Sequence, residues 1–203
     1  MRDAILMSIR PKYCESIASG KQTVIITKTK PKLETPFKVY MYCTKQTTMG
    51  ELLLTYDKKV EGRNRGFRDN GDIPLKGKVI GEFICDKICE FKFLENGNFQ
   101  CRNSYVYLGY SCLTYDKLIN YIGEDKTGYA WNISNLVIYD TPKELNEFYN
   151  DCEEPEEKCE DCPYLRVENT PYYYDVYCEL NEKLYIKKAP AGWCYVKRLG
   201  GCN

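Results

Sequence analysis

Histidine is absent from the 203-residue chain. Its absence excludes catalytic pairs that need an imidazole, metal sites with histidine ligands, and histidine-based pH switching. Any acid–base chemistry must use Lys, Asp, Glu, Tyr or Cys side chains. No apolar run approaches the roughly 20 residues that a membrane span needs, and the apolar residues 4–9 are too few for a secretory signal. We therefore expect a cytoplasmic protein that has no membrane partner.

The net charge is zero, but the charges are unevenly distributed along the chain. Residues 1–50 carry nine Lys or Arg and three acidic residues, a net charge of +6. Residues 140–182 carry three basic and fourteen acidic residues, a net charge of −11. The basic segment indicates either a site for a phosphate-bearing partner or a solvated face. Hydrophobic residues make up 43% of the chain, which is typical of a globular domain with at most a small appendage.

Five of the twelve cysteines cluster near the C-terminus. Cys159 and Cys162 have the spacing that lets two thiolates bind one metal ion. Cys178 would be a third ligand, and either Cys152 or Cys194 the fourth. We favour Cys152, because closing its short loop costs little entropy. These residues predict a structural Zn²⁺ site, with a disulfide-linked loop or unligated thiols as the alternatives.

Hydrophobic periodicity predicts an α+β fold of short strands and a few helices. Strands are expected over residues 4–8, 23–29, 38–43, 78–89, 99–108, 128–139 and 193–197. Helices are expected over residues 12–19 and 114–122, and from a capping box at Thr141–Glu144 through Phe148. Residues 44–77 have the composition of a long loop. Such a pattern favours a small mixed β-barrel over a doubly wound sheet.

Six short segments carry a pattern that is specific in combination: Ile5–Tyr13, Ile17–Thr23, Lys30–Phe37, Tyr40–Cys43, Gly77–Phe83 and Gly128–Ser134. In order and spacing they resemble the ASCH family of PUA-like domains, in the form carried by bacterial prophages. The resemblance implies a PUA-type barrel with flanking short helices, and an association with RNA or modified nucleosides. We expect this barrel over residues 1–149. Residues 150–203 would be an acidic, cysteine-rich, zinc-binding tail packed on it.

The chain departs from the family where the resemblance implies catalysis. Some small ASCH proteins are amidohydrolases that remove the acetyl group of N4-acetylcytidine with a Lys, a Thr and a later Glu. The family strand reads Gly-x-Lys-Thr-x-Glu-x-Arg. Here Gln22 stands at the Lys position, Ile25 at the position of the Thr or Glu, and Thr27 at the Arg position. We therefore expect no catalysis.

The favoured hypothesis is a non-catalytic protein, of phage or prophage origin, that binds RNA, a nucleotide or a modified nucleoside in the host bacterial cytoplasm. The alternatives are an amidohydrolase of acetylated nucleosides and an anti-defence protein that binds a host protein or a signalling nucleotide. In the favoured hypothesis Trp131 stacks on a base or fills the barrel core. The expected ligand contacts are Ser8, Arg10, Lys12, Lys21, Gln22, Thr23, Thr27, Lys28, Lys30, Tyr42, Trp131 and Asn132.

Overall fold

Short strands and two α-helices make up most of the regular structure in the residues that the structure describes. A computed structural model describes residues 4–45, 55–56, 67–68, 75–93, 99–102, 108–149, 165–169, 174–178 and 185–199. In chain order the elements are β1 (Ala4–Ile9), α1 (Pro11–Ala18), β2 (Val24–Thr27), β3 (Phe37–Cys43), β4 (Thr55–Tyr56), β5 (Phe67–Arg68), β6 (Val79–Cys85), β7 (Ile88–Phe93), β8 (Phe99–Arg102), α2 (Tyr115–Ile122), β9 (Thr127–Asn132), β10 (Ser134–Lys143), β11 (Leu165–Asn169), β12 (Tyr174–Cys178) and β13 (Trp193–Val196).

The larger sheet has five strands in the order β10-β6-β3-β1-β13. Strands β1 and β3 are parallel, with Ala4 opposite Lys38, and the other pairs are antiparallel. A parallel pair needs a crossover connection, and here α1 and β2 lie in that connection. The edge strand β13 comes from the part of the chain that we assigned to the tail. The division of the chain near residue 149 remains a prediction.

The smaller sheet has four strands in the order β2-β9-β7-β8. Its strands are antiparallel, and Trp131 on β9 lies between Ile25 on β2 and Ile88 on β7. Two further strand pairs, β4-β5 and β11-β12, complete the described strands. The predicted α+β class is therefore correct. The described strands form separate sheets, and the expected closed barrel is not seen within them.

Alternating side chains divide the interior into three layers. Ile5 and Met7 of β1 face the core between the two sheets, together with Ile25 and Trp131 from the smaller sheet. Leu6 faces the opposite side of the larger sheet. On the far face of the smaller sheet, residues of β2, β7 and β9 pack against Leu118 and Ile122 of α2. This follows from the period of two in a strand and of about 3.6 in a helix.

Two predicted strands are each divided between the two sheets. Residues 78–89 contain all of β6 and the start of β7, with Asp86 and Lys87 between them. Residues 128–139 form parts of β9 and β10, separated at Ile133. The backbone N–H of Ile133 donates to the carbonyl of Thr23 at 2.9 Å, so the chain stays hydrogen-bonded where it changes sheets. A periodic apolar pattern does not reveal this change, because the strands on both sides have buried residues.

The helix predicted from Thr141 is wrong. Strand β10 continues to Lys143, and only a 3-10 turn over Leu145–Glu147 follows. Pro142 is tolerated there because β10 lies at the sheet edge. A capping box is present, but it joins Glu144 to Glu147. The turn delivers Phe148 to a fully buried position, where its ring lies 4.9 Å from that of Tyr40.

Candidate functional site

A cleft of about 1470 Å³ opens beside the ends of β1 and β2 and the first turns of α1. The segment 186–193, which leads into β13, lines it from the other side. Its apolar wall includes Ile17 of α1 and Ile25 of β2. The volume exceeds the roughly 300–1,000 Å³ of most small-molecule sites. The cleft can therefore accept a ligand larger than one metabolite.

Local sequence explains why the chain opens at this place. Pro11 occupies the first turn of α1, where the absence of a backbone N–H has no cost, and the helix buries Cys14 and Ile17. Gly20 ends it with a positive φ of 74°, a conformation that glycine adopts without strain. On the opposite side, Ser8 holds the segment 186–193. Its N–H donates to Gly192 at 2.8 Å, and its hydroxyl donates to Pro190 at 2.7 Å.

The cleft lining is strongly basic. Six basic residues from five separate segments line it: Arg10, Lys28, Lys45, Lys117, Lys187 and Lys188. Among the described residues of the lining, Glu144 is the only acidic one. Its Oε1 accepts a hydrogen bond from Lys78 Nζ at 2.5 Å, so a basic neighbour already offsets its charge. A cleft lined by charges of one sign concentrates ligands of the opposite sign, here anions.

Tyrosine and tryptophan side chains lie among these charges. Tyr121 of α2 is 45% exposed, and Lys28 Nζ lies 5.1 Å from its ring centre. Trp193 is partly buried, and its Nε1 donates to Thr29 Oγ1 at 3.1 Å. Burial raises the pKa of the Tyr42 hydroxyl, and Cys43 and Glu144 raise it further. This hydroxyl is therefore protonated at neutral pH and can donate a hydrogen bond to a ligand.

Half of the predicted ligand contacts line the cleft. They are Ser8, Arg10, Gln22, Thr27, Lys28 and Tyr42. The other six do not line it. Lys12 lies over the ring of Tyr13, and Lys30 is 3.7 Å from Glu90. Asn132 donates from Nδ2 to Asp86 Oδ1 at 2.8 Å. The backbone carbonyl of Lys21 accepts from the Cys112 thiol, and the N–H of Thr23 donates to Tyr110.

Trp131 is the sixth, and it fills the core. It is fully buried, and its ring makes an edge contact with Phe37 at 5.5 Å. It therefore has no exposed face on which a base could stack. Trp193 lies 6.0 Å from it, on the side of the cleft. The tryptophan that lines the cleft was thus missed by the sequence analysis.

Four of the basic cleft residues were also missed: Lys45, Lys117, Lys187 and Lys188. A signal for the last pair was present, since two adjacent lysines follow the acidic stretch of the tail. Lys117 and Tyr121 lie four residues apart and hence on one face of α2. Nothing in the sequence alone joins these residues to the end of β1.

Comparison with solved structures identifies the fold. A crystal structure of the ASCH protein of Zymomonas mobilis, in a serine-to-alanine form, matches with a TM-score of 0.50 and 13% identity, covering 97% of this chain and 90% of that chain. The fold is that of an ASCH protein. Another structure of that protein and a tyrosine-to-phenylalanine form have TM-scores of 0.46 and 0.45 at 16% identity, covering 72% of this chain and 77% and 78% of theirs. Neither a family model nor a curated protein matches the chain.

In this ASCH fold the three positions that depart from the family pattern lie together. Gln22, Ile25 and Thr27 all line the cleft and are largely buried. The hydroxyl of Thr27 donates to the carbonyl of Thr29 at 2.7 Å. Ile25 has no nucleophilic atom and Gln22 no titratable group. These two side chains cannot supply the nucleophile and base that amide hydrolysis requires.

The predicted zinc ligands lie mostly outside the described residues. Cys152, Cys159 and Cys162 are not among them, and Cys178 is the last residue of β12. The described ranges contain no group of three or more potential metal ligands. The alternative ligand Cys194 lies on β13 opposite Leu6, and burial raises the pKa of its thiol to about 11.

Neither helix in the part of the chain that the structure describes is long and apolar enough to span a membrane.

Proposed function

We propose that this chain is a non-catalytic protein that binds the phosphate groups and bases of RNA or of a nucleotide in the basic cleft. One observation carries the proposal: in the described part of the chain, six basic residues line the cleft against one carboxylate, and that carboxylate is paired with Lys78. Phosphate contacts supply most of the affinity in nucleic-acid binding. The exposed Tyr121 and the cleft-lining Trp193 add aromatic surfaces on which bases can stack.

The ASCH fold supports this choice of ligand. ASCH domains, which the sequence resembles, are associated with RNA or modified nucleosides. The proposal includes an origin in a prophage or phage and a place in the host cytoplasm, and these rest on the sequence resemblance alone. The absence of catalysis rests on Gln22 and Ile25, which replace the residues of the amidohydrolase pattern.

For residues 150–203 we propose a structural Zn²⁺ held by Cys152, Cys159, Cys162 and Cys178. Support comes from the CxxC spacing and the two further cysteines of the acidic segment. Four thiolates close the coordination shell. The ion would therefore organise the tail and take no part in chemistry.

Fluorescence polarisation with a labelled single-stranded RNA of about ten nucleotides tests the function. The double variant Lys187→Ala/Lys188→Ala removes two of the cleft cations. If both contact phosphates, the slope of log affinity against log salt becomes shallower by about 1.4, since each contact to a single strand contributes about 0.7. Lys92→Ala is the matched control, because Lys92 is exposed on β7 and does not line the cleft.

Two results would contradict the proposal. Equal affinities and salt slopes for the double variant and Lys92→Ala would remove the cleft from the binding site. Hydrolysis of N4-acetylcytidine by the wild-type protein on the order of 1 s⁻¹, an ordinary enzymatic rate, would show that the protein is an amidohydrolase.

A further inference from the structure

Four buried side-chain polar atoms in the described residues have no hydrogen-bond partner: Gln22 Oε1, Thr44 Oγ1, Lys76 Nζ and Trp131 Nε1. Two of them, Gln22 and Thr44, belong to residues that line the cleft. Buried polar atoms in native proteins are nearly always hydrogen-bonded, and each exception requires an explanation. A ligand that completes the missing bond is one such explanation.

The unpaired atom of Gln22 is a hydrogen-bond acceptor. Its side-chain Nε2 donates to the carbonyl of Val24 at 3.0 Å, and its backbone N–H donates to Ser16 at 2.9 Å. Reversing the amide would place Oε1 against the carbonyl oxygen of Val24, and two acceptors repel each other. The bond to Val24 therefore fixes the amide orientation. The Oε1 atom that is left over can accept a hydrogen bond but cannot donate one.

The surroundings of Gln22 make this acceptor selective. The residue is 5% exposed, and the apolar side chains of Ile17 and Ile25 also line the cleft. In apolar surroundings an unpaired polar group is costly, and a completed hydrogen bond is correspondingly strong. A ligand that places a second acceptor here would leave both oxygens unpaired. In such a site, a mismatched polar group lowers the affinity by more than a matched one raises it.

We propose that Gln22 Oε1 accepts a hydrogen bond from the exocyclic amino group of a nucleobase, so that the cleft prefers cytosine and adenine to uracil. Uracil carries a carbonyl oxygen where cytosine carries its amino group. This inference rests on the proposed function and adds base preference to it. The Oε1 atom exposes less than 1 Å² in the free protein. Contact therefore requires a local rearrangement of the cleft wall, which a structure of the complex would show.

The test compares labelled single-stranded RNAs of about ten identical nucleotides. All-cytidine and all-adenosine RNAs should bind the wild-type protein about five- to tenfold more tightly than all-uridine RNA, the effect of one hydrogen bond. Gln22→Met removes the acceptor at similar length and should reduce this ratio to about one, with little change for uridine. Thermal unfolding of the variant checks that the fold persists.

The outcomes separate this inference from the proposed function. Equal binding of all three RNAs by the wild-type protein would overturn the base preference and leave the proposed function standing. A preference that persists in Gln22→Met would assign it to another residue and overturn the role of Gln22. Binding of none of the RNAs would overturn both.

Discussion

The two tryptophans of the chain should have different roles: Trp131 stabilises the fold, and Trp193 contacts the ligand. Trp131 is fully buried with an unpaired Nε1, and Trp193 lines the cleft 6.0 Å away. Trp131→Phe removes two buried ring carbons, worth about 1.6 kcal/mol at about 0.8 kcal/mol per carbon. It also removes an unsatisfied N–H, whose burial costs about 1–3 kcal/mol. We therefore expect the free energy of unfolding to change by less than about 1.5 kcal/mol.

Trp131→Ala lacks this compensation. Truncating a buried Trp to Ala costs about 3–5 kcal/mol, and removing the unpaired N–H recovers only part of it. Urea unfolding followed by far-ultraviolet circular dichroism measures both variants, since this signal does not depend on tryptophan. A loss above about 3 kcal/mol in Trp131→Phe would refute the reasoning. It would mean that the indole N–H stabilises the fold.

The same variants leave one tryptophan each and report where a ligand binds. RNA should quench the fluorescence of Trp131→Phe, in which Trp193 remains. It should leave the fluorescence of Trp193→Phe almost unchanged, because Trp131 is fully buried. Strong quenching in Trp193→Phe together with none in Trp131→Phe would refute the arrangement of the cleft.

Three further predictions concern packing, pH and metal. Gly81→Ala should lower the free energy of unfolding by at least about 2 kcal/mol and the melting temperature by about 4–8 °C, because the new Cβ would collide with the backbone of β10. Gly192→Ala is the control and should leave both quantities nearly unchanged, because no atom lies within 4 Å of a Cβ at that position. RNA affinity should vary less than about twofold between about pH 6 and pH 8, because histidine is absent. Burial raises the already alkaline pKa of Tyr42 and Tyr121, so both hydroxyls stay protonated in this range. A steep change in affinity would contradict this reasoning, because it would require another titrating group. Metal analysis should find about one zinc per chain and none in Cys162→Ser, whose sheets should stay folded; zinc-free native protein with freely titratable tail thiols would contradict the site.

Local patterns predicted most of the strands, because strands such as β1, β3 and β6 bury apolar side chains. Strand β1 lies within one residue of its predicted end, and α1 within one residue of both predicted ends. The pattern did not show where the chain leaves one sheet for the other. Between β6 and β7 only Asp86 and Lys87 intervene, and the buried residues continue on both sides. The position of a strand in a sheet depends on pairing partners that are distant in sequence.

The site was only partly predicted, because it too depends on segments that are distant in sequence. The residues found by sequence lie on or next to β1, β2 and β3. These strands follow one another along the chain and carry the family pattern. Lys187 and Lys188 reach the cleft only because β13 pairs with β1, almost two hundred residues earlier. The sequence left two roles open for Trp131, because aromatic character does not distinguish a core residue from a stacking platform. Its full burial between Ile25 of β2 and Ile88 of β7 shows that it is a core residue.

Ultraviolet cross-linking of a short single-stranded RNA, followed by mass spectrometry of the peptides, tests the central claim most directly. The account predicts adducts on the aromatic residues of the basic cleft, Tyr13, Tyr42, Tyr121 and Trp193, and competition by unlabelled RNA. It also predicts fewer adducts as salt rises, since phosphate contacts are weakened by salt. Adducts confined to residues outside the cleft, or no adducts under conditions that cross-link a known RNA-binding protein, would contradict the claim.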